Sequence, residues 1–156
     1  MKKSKSRTEH IDLLNLEMFL PKSCFAATPI FSLEIAMNLP TSNDQNKRKH
    51  LDVAAKKRVH DVVFAALKEK YGYNFPRITE RILVYYVRHG QICDKDGLYS
   101  SSKWLMDTLV NLEIIPDDRP VEKKGGIVVD MFARQFKGSP KTELYFYEEI
   151  DPKYTL

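Results

Sequence analysis

The chain predicts an α+β fold, a mixed β-sheet with helices packed against it, in the order β-α-β-α-β-β. Three observations carry this expectation. A nearly continuous apolar run from Ile82 to Val87 reads as a central strand covered on both faces. Two segments, about 50–71 and 100–112, place apolar residues at helical spacing on either side of it in the sequence. Two further strand-like runs close the chain, with no internal repeat. At 156 residues the chain is long enough for one domain with a real core.

Taken in order, residues 30–39 alternate well enough for a first strand, and Pro40-Thr41-Ser42-Asn43-Asp44 punctuates it with turn formers. In the helix expected over 50–71, Leu51, Ala55, Val59, Val62, Val63 and Ala66 form one apolar stripe. Lys56, Lys57, Arg58 and Lys68 lie mostly off that stripe, and Gly72 is placed to stop the helix. The second strand spans Arg81 to Arg88, ends at His89-Gly90, and gives way to a loop containing Asp94-x-Asp96. The next helix, about Ser100 to Leu112, should bury Trp104, Leu105, Thr108, Leu109 and Leu112. Strands from Ile127 to Phe136 and Thr142 to Glu149 follow, and the Lys137-Gly138-Ser139-Pro140 connection predicts a hairpin between them. Residues 1–29 form an N-terminal extension, partly flexible, in which Ile11, Leu14 and Met18 suggest a docking helix over 8–20 that Pro21 ends. Residues 30–156 form the single domain.

Composition narrows the function classes. With 43% hydrophobic and 29% charged residues the chain has an ordinary globular balance. A net charge of +4 and a pI near 9.0 lean toward a polyanionic partner. Cys24 and Cys93 form no CxxC pair, which argues against a disulfide scaffold or structural zinc and makes a cytoplasmic location the expectation. No apolar run approaches the roughly 20 residues that span a bilayer, so no membrane is expected. Asp12, Asn15 and Glu17 interrupt the stretch after the basic start, which disfavours a signal peptide.

Chemistry concentrates in one acidic constellation. Asp94 and Asp96 follow a buried strand directly, and a second acidic pair, Asp117-Asp118, comes after the next helix. Hard divalent cations take carboxylate oxygens and activate water against phosphodiesters. Asp-Lys-Asp-Gly is also good turn chemistry, so the first pair alone reads as a solvated turn. The intervening helix is about 20 Å long, so its two ends cannot touch one ion directly. Residues 113–118 in extended form could carry Asp118 back toward Asp96, or a second subunit could supply the other half of the site. Lys103, at the start of that helix, could stabilise charge on a phosphate, or simply pair with Asp107 four residues on.

Between residues 45 and 60, six basic residues (Lys47, Arg48, Lys49, Lys56, Lys57 and Arg58) face one acid, Asp52. Together with Asn43, Lys123 and Lys124 they are candidates for phosphate contacts, which give affinity without sequence information. The alternative is a solvated helix face. The Tyr and Phe residues of the strands read as core and sheet-face residues rather than base-stacking platforms.

The run from Asp94 to Asp118 resembles the signature of RusA-like Holliday junction resolvases, small endonucleases of phages and prophages. Asp94-Lys95-Asp96-Gly97-Leu98 resembles the family's loop, Lys103 its lysine, Asp107-Thr108-Leu109 its helix motif, and Ile115-Pro116-Asp117-Asp118 its closing turn. The likeness covers residues 30–149, more weakly upstream of the acidic run. It implies paired nicking of four-way DNA junctions by a magnesium-dependent homodimer in a bacterial or phage-infected cell, with manganese a possible substitute. It further implies Asp94, Asp96 and Asp118 as metal ligands, Asp117 in support, and Lys103 at the scissile phosphate. Gly97 stands where the family usually has asparagine, and the step to Lys103 is about three residues longer than in the best-known pattern. Two alternatives stand beside the nuclease: a junction-binding protein of the same fold that does not cut, and a phage regulatory protein that docks on a host protein.

Overall fold

The computed structural model describes residues 24–41 and 49–151, with side chains of the first helix from residue 53 onward. The expected docking helix over 8–20 lies outside the described residues. The elements are β1 (Phe31–Ile35), α1 (Lys49–Tyr71), β2 (Ile82–Gly90), α2 (Lys95–Ser100), α3 (Lys103–Asn111), β3 (Val128–Lys137) and β4 (Lys141–Glu148). They form a mixed four-stranded sheet in the order β1-β4-β2-β3, an α+β fold.

β2 is buried along its whole length, as its apolar run predicts. It pairs parallel with β3 on one edge and antiparallel with β4 on the other. The expected hairpin between the last two strands is therefore not formed. Lys137 pairs with Gly90 and Lys141 with His89, so Gly138-Ser139-Pro140 steps over the end of β2. Two inter-strand spacings come to about 10 Å, within the reach of so short a connection. A strand apolar on both faces needs neighbours on both edges, and that need displaces the local hairpin signal.

Alternation along the strands builds two cores. Ile82, Val84 and Tyr86 of β2 pack with Phe31, Leu33, Leu144 and Phe146 against Val59, Val63 and Leu67 of α1 and against Trp104, Leu105 and Leu109 of α3. Leu83, Tyr85 and Val87 face the other way and pack with Tyr147, Cys24 and Phe25. Cys24 and Phe25, expected in the extension, thus belong to the packed domain, and Phe25 bridges Glu149. On this face His89 and Glu143 pair at 2.5 Å, and the Tyr145 hydroxyl donates to Glu143 at 2.6 Å.

α1 ends where expected: Gly72 adopts φ 68° and its N–H donates to the Lys68 carbonyl at 2.8 Å. The edge strand β3 carries its own protection. The Met131 N–H donates to the Asp130 carboxylate at 2.8 Å and the Ala133 N–H to the Tyr99 hydroxyl at 3.3 Å, so neither is open to another strand.

Candidate functional site

Asp94 to Leu98, expected as a loop, instead opens a short helix. Asp94 is the N-cap of α2, and its Oδ1 accepts the Gly97 N–H at 2.7 Å. The Leu98 N–H donates to the Asp94 carbonyl at 2.9 Å. Asp96 lies in the first turn and is exposed. Asp94 precedes the helix in extended backbone, whereas Asp96 is within it, and one Asp94 oxygen is taken up by the cap. Gly97 is bound up with this cap. A Cβ there would lie 2.8 Å from Asp94 Oδ1 and 3.5 Å from Thr41 Cγ2, so a side chain at 97, including the family's asparagine, requires the Asp94 carboxylate to move.

Three side chains hold this acidic segment in place. The buried Arg88 guanidinium donates to the Gln91 carbonyl at 2.6 Å and to the Leu39 carbonyl from two nitrogens at 3.4 Å. It thereby ties the chain just before Thr41 to the chain just before Asp94. Gln135 of β3 pairs with the Cys93 backbone in both directions: its Oε1 accepts the Cys93 N–H at 3.0 Å, and its Nε2 donates to the Cys93 carbonyl at 2.7 Å. Further along, the Tyr86 hydroxyl lies 2.7 Å from Ser101 Oγ, which donates to the Leu98 carbonyl at 2.7 Å. Burial pushes the Tyr86 hydroxyl up to about 12, so it stays protonated as the donor of that chain.

The longer step to Lys103 is absorbed by α2 and the break at Ser101-Ser102, after which α3 begins at Lys103. Trp104, Leu105, Thr108 and Leu109 are buried as expected, while Leu112 is half-buried. Lys103 is exposed, and its Nζ lies 3.8 Å from Asp107 Oδ2, the i,i+4 pair that the spacing allows.

The second acidic pair has a different setting. The Asp117 carboxylate accepts from the Arg119 backbone N–H at 2.9 Å and from the Arg119 Nε at 2.6 Å, and Arg119 Nη2 also donates to the Lys124 carbonyl at 2.7 Å. The hydrogen bonds and charge of Arg119 hold the Asp117 carboxyl below the usual carboxylate range. This clamp closes the turn that presents Lys123 and Lys124, both exposed. Gly126 completes it, because a Cβ there would lie 2.0 Å from the Pro120 carbonyl oxygen. Asp118 is half-buried.

The two acidic stretches sit at opposite ends of β3. Cys93 is bound to Gln135 near the end of the strand, whereas the Val128 N–H at its start donates to the Arg119 carbonyl at 3.3 Å. About 20 Å of strand separates those anchors. Among the described residues no group of three or more His, Cys, Asp or Glu side chains is placed to hold a metal ion. Asp94, Asp96 and Asp118 have the oxygen chemistry magnesium prefers, but a single chain does not draw them together.

Of the candidate phosphate contacts, Lys56, Lys57 and Arg58 are exposed on α1, and Lys57 Nζ bonds Asp61 Oδ2 at 3.1 Å. Asn43, Lys47 and Arg48 lie outside the described residues, as does the side chain of Lys49, which begins α1. Sequence reasoning passed over Arg88, Gln135 and Arg119. Arg88 carried a signal, a charge closing an otherwise apolar buried strand, whereas Gln135 carried none. No helix among the described residues is long and apolar enough to cross a membrane. No protein-family model matches the chain, and no curated protein matches it.

Proposed function

We propose that the chain is a magnesium-dependent endonuclease of branched DNA that works as a homodimer. The observation that carries this reading is the Arg88 stitch between Leu39 and Gln91. It sets the lead-in to the basic segment beside the acidic one, with Thr41 close to Gly97. Lys56, Lys57 and Arg58 are exposed along α1 and would contact a DNA backbone. Asn43, Lys47, Arg48 and Lys49, whose side chains lie outside the described residues, are the further candidates for it. Lys123 and Lys124 offer a second backbone contact at the far end of β3. Such contacts fix position on DNA without reading sequence, which suits recognition of a junction by shape.

Asp94 and Asp96 would hold the metal from one chain, and Asp118 of a second copy would complete the set. Anchoring of the two acidic stretches at opposite ends of β3 supports this arrangement over a site within one chain. When bound, magnesium supplies an activated water and offsets charge on the phosphate, and manganese, which also takes oxygen ligands, would substitute. Lys103 would add a cation near the phosphate, exchanging its loose contact with Asp107. A two-fold dimer has two such sites, matching two symmetric cuts.

The test mixes two inactive subunits, Asp96→Asn and Asp118→Asn, on a synthetic four-way junction with Mg2+. If the site is shared between copies, the mixed dimer has one intact site and nicks the junction while neither parent does. If each site lies within one chain, mixing restores nothing, and the shared site is wrong. Wild type that binds junctions but cuts none with Mg2+ or Mn2+ selects the non-cutting alternative instead.

A further inference from the structure

We infer that Gln135 is a positioning residue for the acidic segment, fixing Asp94 and Asp96 through the backbone of Cys93; this rests on the nuclease reading. A primary amide offers one acceptor and one donor edge, the same pattern as a peptide group. Here both edges are used on one residue, with Oε1 taking the Cys93 N–H at 3.0 Å and Nε2 giving to its carbonyl at 2.7 Å. Gln135 pairs with Arg88 within the β2–β3 ladder, so its side chain leaves the sheet through a face and holds the Cys93 backbone there as a strand neighbour would.

The position of this contact gives it consequence. The Cys93 carbonyl belongs to the peptide plane that ends in the Asp94 nitrogen, so holding it sets the direction in which Asp94 leaves. From there the Asp94 cap on Gly97 sets the start of α2 and so the placement of Asp96. Arg88, the cross-strand partner of Gln135, holds the same turn at Gln91. Arg88 is buried and serves the whole fold, whereas Gln135 is half-buried on an edge strand and its amide serves this one attachment. Groups that orient metal ligands from behind typically contribute about 10–100-fold to metal affinity or activity.

The experiment measures cutting of a four-way junction by full-length Gln135→Leu across a Mg2+ series, alongside junction affinity without metal and a thermal melt. Loss of both edges should raise the Mg2+ needed for half-maximal cutting by about tenfold or more. Junction affinity should stay within about twofold, because the phosphate contacts are elsewhere. Gln135→Met keeps the length of the side chain and removes both edges without adding a charge, so it should show the same shift and carries the test if the leucine variant does not fold. A Mg2+ dependence equal to wild type in a folded variant overturns the role of Gln135 and leaves the nuclease reading intact. Wild type that cuts nothing, or cuts equally without any divalent ion, overturns both.

Discussion

The two acidic stretches look alike in sequence and are used differently. At Asp94–Asp96 the surroundings grip the backbone: Gln135 and Arg88 hold carbonyls and N–H groups, and only one oxygen of Asp94 is spent on its cap. At Asp117 the surroundings grip the carboxylate itself, which Arg119 takes for the turn that carries Lys123 and Lys124. A carboxylate committed to a guanidinium holds the fold, whereas one whose backbone is held by others is free to take a ligand. Asp118 adjoins the clamp and its charge also acts on Arg119, while the clamp's side-chain hydrogen bonds go to Asp117.

The largest effect expected from this contrast is on cutting. Asp96→Asn should lower the junction-cutting rate by about a hundredfold or more, since metal activation of water is worth several kcal/mol. Asp117→Asn should change it by less than about fivefold, because it loses only an exposed pair. Rates measured side by side at saturating Mg2+ decide this. Equal losses would mean that Asp117 is a ligand and that the contrast is false.

The two glycines sharpen the same comparison through stability. A Cβ at Gly126 meets backbone oxygens of Pro120 and Arg119, which cannot step aside. Gly126→Ala should therefore lower stability by about 2–3 kcal/mol in denaturant unfolding. A Cβ at Gly97 meets the Asp94 carboxylate at 2.8 Å, with Cys93 Cβ and Thr41 Cγ2 at an ordinary 3.5 Å. Losing that cap costs about 1 kcal/mol, and alanine in place of glycine within a helix returns about 0.5–1 kcal/mol. Gly97→Ala should thus fold nearly as well as wild type yet cut more slowly, because Asp94 has been pushed out of place. A variant that melts early and cuts normally would remove Asp94 from the site.

Much of this architecture was legible in the sequence because burial writes itself as periodicity. The Ile82–Val87 run announced the central strand, and the Val59, Val63 and Trp104, Leu105, Leu109 stripes announced the two helices that cover it. The hairpin failed because three residues can join adjacent strands or step over one, and only the demand of β2 for two partners decides between them. Asp94-Lys95-Asp96-Gly97 suited a turn and a helix start equally, and the cap on Gly97 settles it in favour of the helix. The acidic residues could be named in advance, but their separation along β3 could not, since it depends on side-chain to backbone bonds such as Gln135 to Cys93. An amide's partners leave no pattern in a single sequence.

The smallest expected effect concerns pH and belongs to the clamp alone. Hydrogen bonds from Arg119 hold the folded Asp117 carboxyl below its ordinary value of 3.8. A group whose folded value is depressed contributes stability that is fully present above the unfolded value and is lost as pH falls through the folded one. The contribution of Asp117 should therefore be intact above about pH 4 and disappear only below 3.8. Because the pair is exposed, the effect should be small and should shrink further in salt. Melting temperatures of wild type and Asp117→Asn, followed downward through that window, should converge as the wild-type carboxylate takes up its proton. Curves that stay parallel throughout would mean that Arg119 holds the turn through the Lys124 carbonyl alone, and that the Asp117 carboxylate is as open to a ligand as that of Asp96.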